Sequence, residues 1–344
     1  MRVLIVQVAA LGDVVMASTM IGAVRERWPA ARITWVTDGA FAPVVRRFDG
    51  VDEVRAVNAE AVLRRGSWLR RGAALLGVRT RIGRGPWDLV LIGHRDHRYE
   101  WMVPRTRGAE RRRRPGPARR AIEAVPAGWM GEEYADLVHR DLLVASGGRR
   151  AARLARLRSN EPSDARERIP GVVLLAPGGG RNVLRDQPLK RWPIDRWVTL
   201  ARGLEAAGVP LGIIGDHRDV AEAAAIRAAV PAVHDWSART SLEALLDRIA
   251  MSSLLITHDS GPMHLAMLTR TPVIALFGPT DPATFIDPEA DVRVLSAAAG
   301  LPCAPCYDGR DYAVCGANRC LTGVSADTVL QTALQMALGA HSVR

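Results

Sequence analysis

Residues 254–282 read LLITHDSGPMHLAMLTRTPVIALFGPTDP, and the patterns within this stretch decide the fold. Leu254–Thr257 is a short apolar run typical of a buried strand, a helix is predicted over 262–269, and Pro272–Phe277 is a second apolar run. Each run ends in a glycine-containing turn, first Asp-Ser-Gly and then Gly-Pro-Thr-Asp-Pro. A strand, a helix and a second strand in so few residues predict a βαβ unit of a parallel sheet.

The same alternation of strands and helices continues along both halves of the chain. In the first half we predict strands over 2–8, 32–38, 51–57 and 87–93, and helices over 14–28, 43–48, 68–82 and 132–145. In the second half we predict strands over 171–176 and 209–215, and helices over 193–207, 218–230, 241–252 and 325–338. This order is typical of α/β domains in which helices cover both faces of a parallel sheet.

Two interruptions of the pattern indicate how the chain is divided. Residues 105–120 are rich in arginine, contain Pro and Gly, and are predicted to form a loop; residues 147–169 are polar and are predicted to hold the linker. A chain of 344 residues has room for two domains of ordinary size. We therefore predict one domain over 1–160, a second over 170–324, and a terminal helix within 325–344.

The composition and the charge limit the possible functions. With 48% hydrophobic and 24% charged residues, the chain has the balance of a globular protein. The first apolar run is too short for a secretory signal, and no run of about 18 apolar residues follows, so we expect a cytoplasmic protein. A net charge of +11 favours an anionic partner: a phosphorylated substrate, an acidic membrane face or nucleic acid. Nucleic acid ranks last because no aromatic platform or binding motif accompanies the basic residues.

Three short motifs carry residues suited to chemistry. Asp13, in Leu11-Gly12-Asp13, follows the first strand, and ligands bind at the carboxyl ends of strands in open α/β folds. Asp13 is therefore either a general base or only the N-cap of a helix. Pro177–Asn182 is a glycine-rich loop that favours an anion or is simply a turn. Lys190, the one lysine among 47 basic residues, precedes a predicted helix, and its ammonium either binds a diphosphate or is solvated.

The fourth motif is the stretch quoted first. The backbone N–H groups of Ser260 and Gly261 are expected at the start of a helix, facing an anion, and Ser260 adds a hydroxyl donor. His264 lies one turn further along and either reaches the same ligand or is a packed core histidine. The predicted site is thus an anion site at the carboxyl edge of the second sheet.

Taken in order, Leu-Gly-Asp, Lys-Arg-Trp-Pro, Asp-Ser-Gly-Pro-Met-His-Leu-Ala and Phe-Gly-Pro-Thr-Asp-Pro resemble the motif series of the bacterial heptosyltransferases of glycosyltransferase family 9. The resemblance runs from residue 2 to about 338. It implies two Rossmann-like domains facing across a cleft (the GT-B architecture), with the acceptor on the first domain and the nucleotide sugar on the second. The terminal helix would cross back to the first domain.

The resemblance also implies the activity and the roles of the site residues. A heptose would pass from ADP-heptose, with inversion and without a catalytic metal, to a hydroxyl of a lipopolysaccharide core or a related acidic glycan, possibly at the inner membrane face. Asp13 would be the general base and Lys190 would hold the diphosphate. The donor-binding residues would be Gly178, Gly179, Arg181, Asn182, Asp259, Ser260, Gly261, Met263 and His264, with an acid among Asp216, Asp219 and Glu222.

All four cysteines lie close together, as Cys303-x2-Cys306-x8-Cys315-x4-Cys320. In a cytoplasmic chain this spacing predicts either a structural zinc or iron site with four thiolates or four reduced thiols in a surface loop. Some family relatives carry an iron-bound finger, so a protein or small-metabolite O-heptosyltransferase is an alternative function. A non-catalytic nucleotide-sugar-binding protein is a second alternative.

Overall fold

The computed structural model describes residues 1–63, 67–114, 128–146, 152–158, 169, 171–181, 186–307 and 311–339. Its internal contacts divide the chain into two compact units, Met1–Ser159 and Asn160–Arg344. Each unit contains one parallel β-sheet with helices, so the predicted α/β class with two Rossmann-like domains is confirmed.

The first unit is built on strands β1 (Arg2–Val6), β2 (Arg32–Asp38), β3 (Glu53–Val57), β4 (Leu89–Ile92) and β5 (Glu110–Arg113). Its helices are α1 (Leu11–Met16), α2 (Thr19–Arg27), α3 (Ala42–Arg46), α4 (Glu60–Leu63), α5 (Trp68–Ile82), α6 (His97–Met102) and α7 (Met130–Ser146). The strands pair in the order β3-β2-β1-β4-β5. After the exposed Arg2, the central strand β1 is apolar over Val3–Val6, and these residues are fully buried because both faces of the strand are covered.

The second unit is built on strands β6 (Val173–Leu175), β7 (Leu211–Ile213), β8 (His234–Asp235), β9 (Leu254–His258), β10 (Val273–Leu276) and β11 (Val292–Leu295). Its helices are α8 (Ile194–Ala206), α9 (Val220–Ala229), α10 (Leu242–Met251), α11 (Gly261–Thr269), α12 (Pro282–Phe285), α13 (Arg319–Thr322) and α14 (Ala326–Gly339). The strand order is β11-β10-β9-β6-β7-β8. The carboxyl ends of β6, β9 and β10 are therefore neighbours, which brings the loops after them to one edge.

The helix predicted over 14–28 is wrong in one respect, because the structure breaks it into α1 and α2 at Ala17 and Ser18. The hydroxyl of Thr19 donates to the carbonyls of Met16 and Gly131, at 3.0 and 2.7 Å, and Ser18 Oγ accepts from Ala155 N at 2.9 Å. These tertiary hydrogen bonds compete with the helical pattern at the break. Asp13 thereby falls in a separate short helix.

The prediction of a loop over 105–120 is also wrong in part, because β5 lies within it. Glu110–Arg113 pair in parallel with Leu89–Ile92. Arg112 is buried and donates to the carbonyls of Leu137 and Val138 on α7, at 3.2 and 2.6 Å, so its charge contacts the helix covering this edge strand. The backbone pairing and these contacts override the polar composition; residues 115–120 lie outside the described residues.

The terminal helix α14 packs within the second unit. Leu330 contacts Gly203 of α8 closely, and Val329 and Ala333 are buried in the second core. Its crossing back to the first domain stays a prediction. Across the described ranges, the helices are all too short or too polar to span a bilayer.

Candidate active site

The glycine-rich loop after β6 lies against the turn that follows β7. A Cβ atom on Gly178 would stand 2.1 Å from Asp219 Oδ1, so only glycine fits at this approach. Gly179 has a φ of +127°, and a Cβ there would meet His258 and Ser260. The loop is thus held between the ends of β7 and β9. Asn182 lies outside the described residues.

Lys190 and Asp259 form a buried ion pair beside this loop. Lys190 Nζ donates to Asp259 Oδ2 at 2.6 Å, and the same oxygen accepts from the hydroxyl of Thr280 at 2.8 Å. Burial by itself lowers the pKa of Lys190, but the Asp259 carboxylate more than offsets it, and the net pKa is raised. For Asp259, burial raises the pKa, but the Lys190 ammonium lowers it by more, so the net pKa is below its usual value. Both groups are therefore charged at neutral pH.

His258, at the end of β9, joins the glycine-rich loop to the Lys-Arg-Trp-Pro segment. Its Nε2 accepts from the backbone N–H of Trp192 at 2.8 Å, so Nδ1 carries the proton and donates to the carbonyl of Gly178 at 2.7 Å. The ring is fully buried, and this burial lowers the pKa of His258 to about 4. A neutral imidazole therefore fixes the distance between two segments of the predicted donor site.

Acidification is expected to weaken the fold through His258. Between pH 6.5 and about 4, His258 is protonated in the unfolded chain but not in the folded chain. The contribution of the neutral His258 ring to the free energy of unfolding is therefore complete above pH 6.5 and is lost as the pH falls to 4. The difference between the pKa of His258 in the unfolded and the folded chain corresponds to about 3 kcal/mol of unfolding free energy. Urea unfolding at pH 7 and pH 4 measures it, and the His258→Asn variant, which has no titrating ring, is the matched control. Equal losses of unfolding free energy in both proteins would contradict the assignment.

The three acids left open by the sequence differ in their surroundings. Asp216 pairs with Arg218 at the surface. Asp219 Oδ1 and Glu222 Oε1 accept from the Arg181 guanidinium at 2.7 and 3.0 Å. Asp219 also accepts from the backbone N–H of Asp216 and so holds the turn.

Glu222 is the acid with a carboxylate oxygen left for a ligand. Within the described part of the chain, its Oε2 atom is buried and accepts no hydrogen bond. A buried carboxylate oxygen of this kind is suited to the hydroxyl groups of a ribose.

The start of α11 lies at the same edge. Ser260 is the N-cap residue, but its hydroxyl pairs with that of Thr257 at 3.1 Å and does not cap the helix. The backbone N–H of Gly261 is at the first helical position. Met263 and His264 are buried, and His264 lies near enough to Asp259 to lower its pKa. His264 therefore packs behind the ion pair.

In the first unit, Asp13 is the third residue of α1 and is half-buried. Its Oδ2 atom accepts from the backbone N–H of Ala10 at 3.3 Å, and Oδ1 accepts from the hydroxyl of Tyr134 at 3.2 Å. Asp13 thus caps α1 from inside the helix and is not its N-cap residue. Burial and the Asp13 charge both raise the pKa of Tyr134, which stays protonated as a donor.

His94 and Arg114 complete the surroundings of Asp13. The His94 ring stacks on Tyr99 at 4.3 Å, and burial lowers its pKa although the Asp13 charge opposes this. The buried Arg114 guanidinium lies over the Tyr134 ring at 4.9 Å and pairs with Glu133. A neutral imidazole and a paired cation therefore flank the carboxylate.

The zinc or iron site predicted for the four cysteines stays a prediction. All four are free thiols, two of them exposed, and within the described ranges no cluster of three or more His, Cys, Asp or Glu side chains is arranged to hold a metal ion. Cys315 Sγ instead accepts from the backbone N–H of Asn318 at 3.2 Å, and Cys320 donates to the Asn318 side chain at 3.5 Å. Burial raises the pKa of the Cys306 and Cys320 thiols, and the neighbouring cysteines raise it as well, so the thiols lie near one another.

Three contributors to the site were given no role by the sequence: His258, Trp192 and Thr280. Each lies within a quoted motif. A histidine immediately before Asp-Ser-Gly was the one available signal, since a polar residue at the end of a buried strand needs a partner.

A family model described as "Glycosyltransferase family 9 (heptosyltransferase)" matches residues 155–313, which include the glycine-rich loop, Lys190 and the Asp259 motif. Lipooligosaccharide heptosyltransferase 2 of Haemophilus influenzae is 35% identical over 100 residues, which are 28% of this chain and 29% of that protein. The second unit of this chain is thus similar in sequence to glycosyltransferase family 9. The alignments with the first curated family 9 relatives cover less than a third of their length.

Solved structures of bacterial glycosyltransferases share the fold over nearly the whole chain. Escherichia coli ADP-heptose LPS heptosyltransferase II aligns with a TM-score of 0.75 and 19% identity, covering 99% of this chain and all of that one. E. coli heptosyltransferase WaaC, solved with ADP-2-deoxy-2-fluoro heptose, aligns with a TM-score of 0.69 and 19% identity, covering 96% of this chain and 98% of that one. The iron-containing dodecameric glycosyltransferase TibC of E. coli H10407 aligns with a TM-score of 0.58 and 13% identity, covering 99% of this chain and 76% of that one. At these identities the likeness concerns the fold.

Proposed function

We propose that this protein transfers a heptose from ADP-heptose to a hydroxyl group of a lipopolysaccharide core or a related acidic glycan. The observation that carries the proposal is the buried Lys190–Asp259 pair, held between the glycine-rich loop and the start of α11. A buried ammonium next to backbone N–H groups at a helix start is suited to a diphosphate.

The donor is proposed to be an ADP sugar. Glu222 Oε2 would accept from the ribose hydroxyls, and Lys190 and the Gly261 N–H would bind the diphosphate. WaaC has been solved with an ADP-heptose analogue, which supports this donor class. Arg181 would act indirectly, because its guanidinium already holds Asp219 and Glu222.

The proposed reaction inverts the anomeric carbon in one displacement and uses no metal ion. Asp13 takes the proton from the acceptor hydroxyl, whose oxygen forms a bond to the anomeric carbon while the bond from that carbon to the diphosphate oxygen breaks. The bonding electrons leave with ADP, and the Lys190 ammonium stabilises the negative charge that develops there. The hydroxyl of Tyr134 keeps the Asp13 carboxylate oriented.

The acceptor is proposed to be acidic because the chain carries an excess of positive charge. A cytoplasmic location, with contact to the acidic inner membrane face through the basic stretch over 105–120, agrees with a lipid-linked acceptor. Acceptor binding should then weaken steeply as salt is raised.

Nucleotide binding and a transfer assay test this function together. A thermal-shift series with ADP, UDP and GDP should show stabilisation by ADP alone, because the donor class is set by the base. The protein should then transfer heptose from ADP-heptose to a heptose-deficient core oligosaccharide, with the anomeric configuration opposite to that of the donor. Stabilisation by UDP or GDP but not by ADP would overturn the proposed donor.

The two alternative functions are outcomes of the same assays. Transfer to a peptide or small-metabolite hydroxyl, but not to the core oligosaccharide, would reassign the acceptor. ADP-heptose binding without transfer to any acceptor would indicate a nucleotide-sugar-binding protein. Metal analysis of the purified protein would test the metal finger that favours a protein acceptor: less than a tenth of an equivalent of zinc or iron would count against it.

A further inference from the structure

Helix α5 packs on the first sheet through one of its faces. Val78 and Ile82 are buried in the core of the first unit, and Leu75 packs against that core while partly exposed. These three residues recur at the spacing of a single helix face. In the described part of the chain, the opposite face of α5 is therefore left to solvent.

That outer face is apolar. Leu69, Ala73 and Leu76 follow one another at intervals of four and three residues, and all three are exposed. Leu69 is 62% exposed and Leu76 is 66% exposed, and Trp68, the first residue of the helix, is 78% exposed. A single exposed leucine is ordinary, but four apolar residues side by side on one helix indicate a surface that binds a partner.

Arginines border this apolar face on both sides. Arg70 and Arg81 lie along one border, about three turns apart, and Arg79 lies along the other. Arg79 and Arg81 donate to the backbone carbonyls of Trp101 and Ala56, at 2.7 and 3.2 Å, and these neutral partners hold the guanidinium groups without neutralising them. The sequence of α5 contains no acidic residue. The helix thus presents an apolar stripe between positive charges.

The first turn of α5 lies at the same edge of the first sheet as Asp13. Strands β1, β3 and β4 belong to one parallel sheet, so their carboxyl ends share an edge. Asp13 follows β1, and α4 and α5 follow β3. Arg98, in the helix that follows β4, donates to the carbonyl of Leu63 at the end of α4, at 2.6 Å. A partner bound along α5 would therefore lie beside the proposed acceptor site.

We propose that the outer face of α5, formed by Trp68, Leu69, Ala73 and Leu76, docks on the surface of a lipid bilayer that contains anionic lipids. The apolar side chains lie at the boundary between headgroups and acyl chains, and the bordering arginines contact lipid phosphates. Tryptophan at the end of the stripe suits the headgroup level. The charge decides for a membrane, because the borders of the face are positive and a bilayer of this kind offers phosphates on all sides of an inserted helix.

This inference rests on the proposed function in one respect, because a lipid-linked acceptor would lie at such a bilayer. It adds a contact with the bilayer to the one proposed for the basic stretch over 105–120. Vesicle binding is measured without donor or acceptor, so it is judged independently of heptose transfer.

The test is flotation of the purified protein with vesicles of phosphatidylcholine alone and with vesicles of equal parts phosphatidylcholine and phosphatidylglycerol. The protein should bind the anionic vesicles at least about fivefold more tightly than the neutral ones, since arginines near an anionic surface each add to binding. Leu76→Ser should weaken binding to the anionic vesicles by about three- to tenfold, because an apolar side chain no longer enters the interface.

Val314→Ser is the matched control, because Val314 is also an exposed apolar residue but lies in the second unit. It should bind the anionic vesicles as the wild type does. Both variants should unfold in urea at the wild-type midpoint, since neither side chain is buried. In the transfer assay, Leu76→Ser should lose activity towards an acceptor embedded in vesicles and keep it towards a soluble core oligosaccharide.

Three results would overturn the proposal. The first is a wild-type protein that binds no anionic vesicles, and the second is a Leu76→Ser protein that binds them as well as the wild type. The third is a dimer, seen by sedimentation velocity without lipid, that Leu76→Ser dissociates, because the face would then bind a second copy of the chain. Vesicle binding that depends on Leu76, in a protein that transfers no heptose, would support the docking surface and refute the proposed function.

Discussion

Replacing Lys190 by methionine is expected to lower the rate of heptose transfer by about 100- to 1,000-fold, the usual cost of removing one donor that stabilises developing charge. The effect is large because the Lys190 ammonium is already oriented by Asp259, at 2.6 Å, before the diphosphate binds. Initial rates with saturating acceptor, at several ADP-heptose concentrations, measure the loss.

The same substitution also leaves Asp259 as a buried charge without its cation, which should cost about 3–5 kcal/mol of unfolding free energy. The double variant Lys190→Met/Asp259→Asn separates the two effects, because the pair becomes neutral while Thr280 keeps an acceptor. We expect this variant to regain most of the lost stability in urea unfolding and none of the activity. Recovery of transfer together with stability would show that Lys190 acts only on the fold.

Replacing Asp13 by asparagine is expected to reduce transfer by about 100- to 10,000-fold, the range over which a general base contributes. The amide has the shape of the carboxylate and still accepts from Tyr134, but it does not take up the proton of the acceptor hydroxyl. Affinity for ADP should be unchanged, because the groups proposed to bind the diphosphate belong to the second unit. Single-turnover transfer and ADP calorimetry on the same preparation measure both quantities.

Tyr134→Phe is the matched control for the role of Asp13. It keeps the ring under Arg114 and removes the hydrogen bond to Asp13 together with the long one, 3.5 Å, that the hydroxyl accepts from Arg114. Transfer should therefore fall by about tenfold at most. An Asp13→Asn protein that transfers heptose at the wild-type rate would refute the assignment of Asp13 as the base.

Much of the fold was predictable because its signals are local. Apolar runs such as Val3–Val6 and Leu254–Thr257 mark strands buried on both faces, and glycine turns mark their ends. The strand β5 was missed because Glu110–Arg113 contains only charged residues. Its pairing depends on β4, some twenty residues earlier in the chain, and on carbonyl groups of α7 that accept from Arg112.

The candidate site was predictable in its members but not in their partners. Lys190 and Asp259 were both singled out as donor-site residues, yet each also neutralises the other. The sequence left three acids as candidates for the ribose, and only their contacts distinguish them. Asp216 pairs with Arg218, whereas Glu222 has one buried carboxylate oxygen without a hydrogen-bond partner in the described part of the chain. The cysteine spacing suggested a metal, which stays a prediction, and the folded segment donates two backbone hydrogen bonds to the carbonyl of Pro279.

The sequence alone determined the α/β class and predicted which motifs share one edge of the second sheet, because periodicity and turn chemistry depend on neighbours along the chain. The tertiary structure decided which of these residues touch. Lys190 and Asp259 are 69 positions apart, and His258 joins residues 66 and 80 positions away. Such contacts form only when β6 and β9 pair, so their distances and charges follow from packing and not from spacing along the chain.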